Sequence, residues 1–251
     1  MVEHRLQESG VPLGLATSFQ AETDLIIAKS HKLQAALNPH LSRLPIFPLS
    51  QVQLFPGAML PLYIFEPRYR EMTAWCLENG GLMAIACLRP GYEADYQGRP
   101  PVRRIAGLGK IVAHRLNPDG TYNILLRGIA RVGIVEELPP LRLFREVRAR
   151  LLRDHWPERF DAETARQTMV ALTERLAAML AQKGEPLRAL CSSETRARKL
   201  VDVLSAALVA PPLLRQRLLE VRNVLRRVDM LTSELARLIA HLQKPSESGA
   251  N

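Results

Sequence analysis

LPIFPLSQVQLFPGAMLPLYIFEPRYR, residues 44–70, places two short β-type runs, Leu44–Leu49 and Met59–Phe65, on either side of a Phe55-Pro56-Gly57 turn signal. Pro45, Pro48, Pro56, Pro61 and Pro67 punctuate it. A proline inside a helix removes a hydrogen bond and clashes with the preceding turn, so this density excludes a long helix and favours edge or irregular strands. Helical spacing begins only after Pro67, where Tyr69, Met72, Cys76 and Leu77 fall near one face and Asn79-Gly80-Gly81 supplies the stop. Pro67 suits a first helical turn, where its missing N–H has no partner to lose.

The apolar run from 82 to 88, LMAIACL, is short enough for a buried strand, and RPGYEADYQGRPP, 89 to 101, reads as an exposed loop. RRIAGLGKIVAHRLN and TYNILLRGIARVGIVEEL flank the Pro118-Asp119-Gly120 turn and read as strand, tight turn, strand, bend, strand. FREVRARLL, 144 to 152, alternates as one more strand. The region 43–153 is therefore a β-rich unit of at least six strands and one helix. Many short strands with Gly and Pro turns point to a folded sheet or barrel, because closure removes edges that would pair with other chains.

Beyond Pro157 the apolar period changes from 2 to 3.6. Ala165, Met169, Leu172, Leu176 and Met179 form one stripe, with Gly184 and Pro186 expected to end that helix. A second helix over 194–209 turns Leu200, Val203, Leu204, Ala207 and Leu208 inward. After Pro211-Pro212 a stripe through Leu214, Leu218, Val221, Leu225 and Val228 continues to Leu231, Leu235, Leu238 and Leu242, as one helix or as two bent near Asp229. No helix is apolar all round, so 154–244 reads as a small bundle. Residues 1–42 are an extension with a thin apolar stripe between Glu22 and Leu37, and 245–251 are a frayed tail.

A chain of 251 residues with 47% hydrophobic and 24% charged content can bury a sizeable core, and 34 Lys and Arg against 25 Asp and Glu leave a net charge of +9. Much of the excess is local, with eight basic residues between Arg196 and Arg227 against Asp202 and Glu220. Such an imbalance on helices attracts acidic partners when it is solvent-facing. The N-terminus lacks the apolar stretch of a signal peptide, no run reaches the length of a membrane span, and Cys76, Cys87 and Cys191 are odd in number and widely spaced. A cytoplasmic protein with no membrane partner is expected.

Catalytic constellations do not assemble from the sequence. His4, His31, His40, His114, His155 and His241 show no metal-ligand spacing, and the cysteines form no C-x-x-C pair. Cys191-Ser192-Ser193 has no local base and fits a helix start before Thr195. Gly107-Leu108-Gly109 is too short for a dinucleotide fingerprint, and Glu93, Asp95 and Asp119 are loop carboxylates. Binding has more support: Tyr92 and Tyr96 sit on a flexible loop, and with Phe65 and Tyr69 at the strand-to-helix junction they are expected to border an apolar peptide groove. The competing structural reading buries Phe65 and Tyr69 in the core, with the loop tyrosines packed over them.

Leu44, Pro48, Phe55, Pro56, Gly57 and Pro61, with Glu66, Arg68 and Arg70, together resemble the amino-terminal, substrate-recognition domain of ATP-dependent Lon proteases, and more closely the stand-alone bacterial proteins built from that domain. The stretch IAGLGKIV from Ile105 and the hairpin through Asp119-Gly120-Thr121 to Gly128 and Arg131 are similar to the family's later strands, so the likeness covers about residues 43–243. The resemblance implies an α+β fold, a PUA-like β-rich folded sheet or barrel followed by a C-terminal helical bundle. The motif residues also have a physical reading as structural positions: Gly57 and Gly128 at turns or close crossings, Glu66 accepting helix-start N–H bonds beside a paired arginine, and Arg127 and Arg131 anchoring the hairpin. The ATPase and Ser-Lys peptidase modules of the full protease have no counterpart here, and there is no G-x-x-x-x-G-K-[ST] loop. The expected protein is therefore non-enzymatic and cofactor-free. It recognises polypeptides, among them unfolded or misfolded clients, or serves as an adaptor in protein quality control. The alternative is nucleic-acid binding through the PUA-like domain and the basic helices.

Overall fold

The computed structural model describes residues 35, 37–157, 161–191 and 196–243, and the chain divides into two units, Met1–Ser42 and Arg43–Asn251. In the first, the described backbone at 37–41 is helical, and Ser42 donates to the Pro39 carbonyl at 3.1 Å. Most of the Glu22 to Leu37 stripe, the 245–251 tail and Ser192-Ser193 lie outside the described residues.

The second unit begins with a six-stranded sheet: β1 (Leu44–Leu49), β2 (Met59–Ile64), β3 (Leu82–Cys87), β4 (Ile105–Leu116), β5 (Tyr122–Glu137) and β6 (Arg145–Leu152), with α1 (Pro67–Glu78) between β2 and β3. The order is β2-β5-β4-β3-β1-β6, and β6 pairs again with β5. Only β1 and β3 run parallel. β5 is long enough to serve two partners along one edge: Tyr122 to Arg127 pair with β2, and Arg131 to Glu137 pair with β6. The bend expected inside β5 is absent as a break. Gly128 and Gly133 stay in strand, and the irregularity is taken up by register shifts against β4 and β6.

The opening motif accounts for this crossing. Gly57, in left-handed backbone at φ 85°, donates to the Gly128 carbonyl at 2.9 Å, while the Gly128 N–H returns to Ala58 O at 2.9 Å. A Cβ on Gly128 would lie 2.0 Å from the Phe55 carbonyl oxygen, so the turn before β2 approaches β5 too closely for any side chain there. The main β core, with Phe47, Leu54, Ile64, Met72, Met83, Ile85, Leu126 and Phe144, packs against α1. Phe55, fully buried, belongs instead to the core of the helices.

Those helices are α2 (Ala162–Met179), α3 (Glu185–Leu190), α4 (Ala197–Leu208), α5 (Pro212–Glu220) and α6 (Val224–Gln243). Asp161 caps α2 through the Glu163 and Thr164 N–H groups. α2 ends with its stripe at Met179, before the expected stop at Gly184 and Pro186, because Ala181 takes φ 50° and a 3₁₀ turn at Ala181–Gly184 folds back so closely that a Gly184 Cβ would sit 2.1 Å from Ala177 O. Pro186 then starts α3 instead of stopping a helix. In α4 the inward residues include Val201 and Ser205, while Ala207 is exposed. The last stripe breaks at 221–223, not near Asp229. Asn223 forms a bridge with His155, and its side-chain oxygen accepts the Arg226 N–H at 3.0 Å. Leu225 consequently points outward and Arg227 inward.

Arg227 is fully buried, which removes it from any basic helical surface. It pairs with Asp154 at 2.7 and 3.1 Å. Arg131, also buried, grips Asp202 of α4 at 2.9 and 2.6 Å and the Leu219 carbonyl of α5 at 2.9 Å. Arg131 thus ties sheet to helices and does not anchor its own hairpin. Two arginines and two aspartates balance in charge, the condition under which buried ions are tolerated. Burial would raise the Asp154 pKa, but the hydrogen bonds and charge of Arg227, with Arg131 and Arg198 nearby, outweigh it and hold the carboxyl below its ordinary value.

Candidate functional site

The junction between β2 and α1 is built from Phe65, Glu66, Pro67 and Arg68. Pro67 opens the helix, and the Glu66 carbonyl accepts the Tyr69 and Arg70 N–H groups at 3.0 and 2.9 Å. The Glu66 side chain makes no cap bond. Its carboxylate pairs with Arg68 at 2.9 Å and accepts the Tyr96 hydroxyl at 3.0 Å, so it ties the 89–103 excursion to the helix start. The Arg68 guanidinium lies 4.8 Å from the Tyr69 ring centroid and 5.2 Å from that of Tyr96. Burial opposes the Arg68 charge, but Tyr69, Glu66 and Tyr96 outweigh it and raise its pKa. Burial first, then the bond to Glu66, raises that of Tyr96.

The four tyrosine and phenylalanine candidates fall in different settings. Tyr69 is in the core, its ring 4.2 Å from Phe47, and burial pushes its hydroxyl up to about 12. Phe65 is 60% exposed. Tyr92, half-buried on a 3₁₀ turn, meets Tyr96 with ring centroids 6.3 Å apart. A cleft lined by Pro48, Arg68, Tyr69, Leu88, Tyr96 and Arg145 has room for about one water molecule. Phe65 and Tyr92 do not line it. Arg145 is occupied there by Glu137, at 2.8 and 2.6 Å, and by the Pro100 carbonyl. This cleft fastens the loop and is too narrow for a peptide side chain.

The larger opportunity lies on the outer face of β2, β5 and β4. Along β2, Leu60, Leu62 and Ile64 turn inward while Met59, Pro61 and Tyr63 turn out, and Phe65 continues the outward column with its ring stacked 6.0 Å from Tyr63. Register carries the face across the sheet: Tyr63 opposes Asn123, which opposes Arg115; Pro61 opposes Leu125, then Ala113; Met59 opposes Arg127, then Lys110. Lys110, Arg115 and Arg127 are exposed and pair with no described acid. Sequence reasoning did not single out Met59, Tyr63, Lys110 or Arg115. The signal was the period-two alternation of MLPLYIF, legible only once its neighbours on β5 are known.

Among the described residues no group of His, Cys, Asp and Glu is arranged to hold a metal ion. Burial pushes the Cys76 thiol up to about 12 and raises that of Cys191, so neither is an activated nucleophile at neutral pH. No described helix is long and apolar enough to cross a membrane.

Residues 43–237 match the family model of the ATP-dependent protease La (LON) substrate-binding domain. Among curated proteins, a Lon protease 2 of Syntrophobacter fumaroxidans is 28% identical over 90 residues, 36% of this chain and 11% of that protein. A Lon protease of Dictyoglomus thermophilum is 20% identical over 200 residues, 80% of this chain and 25% of its own length. The matches span a quarter or less of these relatives. A Lon N-terminal domain protein from Xanthomonas campestris superposes with TM-score 0.56 at 20% identity, covering 76% of this chain and 97% of that one. The N-terminal domain of a Mycobacterium avium complex Lon protease superposes with TM-score 0.58 at 17% identity, covering 77% and 98%.

Proposed function

The chain belongs to the family of Lon-type substrate-binding domains, and from that premise we propose that it recognises polypeptides, with unfolded or misfolded segments as its clients. The matched region corresponds to the non-catalytic amino-terminal part of Lon proteases and not to their ATPase or peptidase modules. The match over 43–237 is the observation that carries the reading. Support comes from aromatic surface held on a frame of hydrogen bonds: exposed Phe65 beside a helix start, and exposed Tyr96 with half-buried Tyr92 on a loop fastened by Glu66 and Arg68. Tyr69 serves from below, as packing. We read the closed pairing of β5-β4-β3-β1-β6 as the PUA-like barrel of the family, with 43–153 and 154–244 as its two parts and 1–42 and 245–251 as flanking segments. In a cytoplasmic setting such a module delivers clients to a separate protease or chaperone as an adaptor.

Binding of a permanently unfolded model polypeptide to the full chain tests this. Tyr92→Ala with Tyr96→Ala, in a variant of unchanged unfolding midpoint, is expected to weaken it roughly tenfold, the order of one aromatic anchor. Unchanged affinity sinks the loop's role. Nucleic-acid binding is the second reading, favoured by the unpaired Lys110, Arg115 and Arg127. It calls for affinity that falls steeply with salt and for loss of binding after nuclease treatment of the sample.

A further inference from the structure

Met59 and Tyr63 are 49% and 55% exposed on the outermost strand of the sheet, in one column with Pro61. Apolar surface gathered in one place on a solvent-facing strand marks a contact surface when a charged rim borders it. Here the rim is of one sign. Lys110, Arg115 and Arg127 stand on the next two strands of the same face, no acidic residue occupies the intervening register positions, and none of the three has a described partner. From this charge complementarity we infer that the outer face of β2, β5 and β4 docks a polypeptide segment whose apolar residues meet Met59 and Tyr63 and whose acidic residues meet the three cations. This rests on the polypeptide reading above and names the class of client.

The segment lies across the strands and does not extend the sheet. Adding a strand to β2 needs a regular row of N–H donors, and Pro61 in the middle of β2 has none to offer. Strands stand about 4.8 Å apart, so the β4 cations lie about 10 Å from the β2 column, a distance that about three extended residues span. The expected client pattern is therefore an apolar anchor with Asp or Glu about three residues away on one side.

The test uses the full chain and two unstructured peptides with the same Leu-Phe-Leu centre, one flanked by Glu and one by Lys, with oligothymidylate as a third probe. At low salt the Glu-flanked peptide is expected to bind roughly tenfold tighter than the Lys-flanked one, the scale of a few exposed ion pairs acting together. Lys110→Gln, Arg115→Gln and Arg127→Gln combined should close that gap, and Tyr63→Ser should weaken both peptides. Equal binding of the two peptides, or a gap that survives the triple substitution, overturns the charge-selective face while leaving polypeptide recognition intact if the unfolded model polypeptide still binds. Oligothymidylate binding more tightly than the Glu-flanked peptide overturns the inference in favour of a nucleic acid. Failure of all polypeptide probes overturns this inference and the proposed function together.

Discussion

Arg131 leaves β5 to hold Asp202 with two hydrogen bonds while Arg227 holds Asp154, and every one of these charges has been taken largely out of water. Removing one partner strands the other, so Asp202→Ala should destabilise the fold by about 3–5 kcal/mol in denaturant unfolding. Replacing both members of a pair by apolar residues, Arg131→Met with Asp202→Leu, should cost less than the single change. A larger loss in the double variant would contradict the packing described. The pH dependence has a definite sign. Asp154 is held below its ordinary 3.8, so its contribution is fully present above that value and is lost as pH falls through the lower folded-state pKa. Thermal unfolding followed downward from pH 5 should steepen below about pH 4, and Asp154→Asn should flatten that limb. At this scale the sequence disclosed identities but not partners. Gly128 and Arg131 were noted through the family resemblance, yet Asp202 is 71 positions from Arg131, and no local pattern announces such a bond. Glu66 likewise had a natural local role as a cap, and the guanidinium two residues on took it instead.

The elements themselves were more legible, because period and turn chemistry are local. The two runs of the opening stretch, the Asp119-Gly120 hairpin and the helix begun by Pro67 lie where their spacing puts them. Misplacements cluster where tertiary contact overrides a periodic pattern. The stripe from Leu214 to Val228 runs unbroken in sequence, but the chain is extended at 221–223, where His155 exchanges backbone bonds with Arg222 and Val224. Close approach makes Gly128, where β5 meets the 55–58 turn, sensitive. Gly128→Ala would set a methyl against the Phe55 carbonyl and should cost about 3 kcal/mol, read as a lowered urea midpoint with m unchanged. A midpoint within error of the parent's would refute the crossing geometry. Pro61 protects the end strand. Pro61→Thr restores a donor to β2, so concentration-dependent light scattering should rise while the unfolding midpoint holds, and unchanged scattering would show that the edge is guarded by something else.

At the scale of the whole molecule, a six-stranded sheet and its helices are joined by Phe55, which sits in the helical core, and by the Arg131 and Arg227 pairs. The α+β class and the helical second part could be read from a change of apolar period near Pro157. The site was legible only in part. Aromatic residues at the β2–α1 junction and on the 89–101 loop could be picked out as surface candidates, but which side chains face solvent depends on tertiary packing: the inner face of α1 puts Tyr69 inside, and the alternation of β2 puts Tyr63 outside. The basic excess was likewise only a partial guide, since Arg227 is interior and Arg215 and Arg222 bond the carbonyls of Gln51 and Arg153, while the exposed cations Lys110, Arg115 and Arg127, outside that helical cluster, stand on the sheet. Recognition of unfolded polypeptide by this rigid frame is most directly tested by fluorescence anisotropy of a labelled, permanently unfolded polypeptide titrated with the full chain, with its intact mass checked afterwards. Saturable binding that an oligonucleotide does not displace, with the polypeptide uncut, is the expected result. Absence of saturable binding, or its complete displacement by the oligonucleotide, would contradict it.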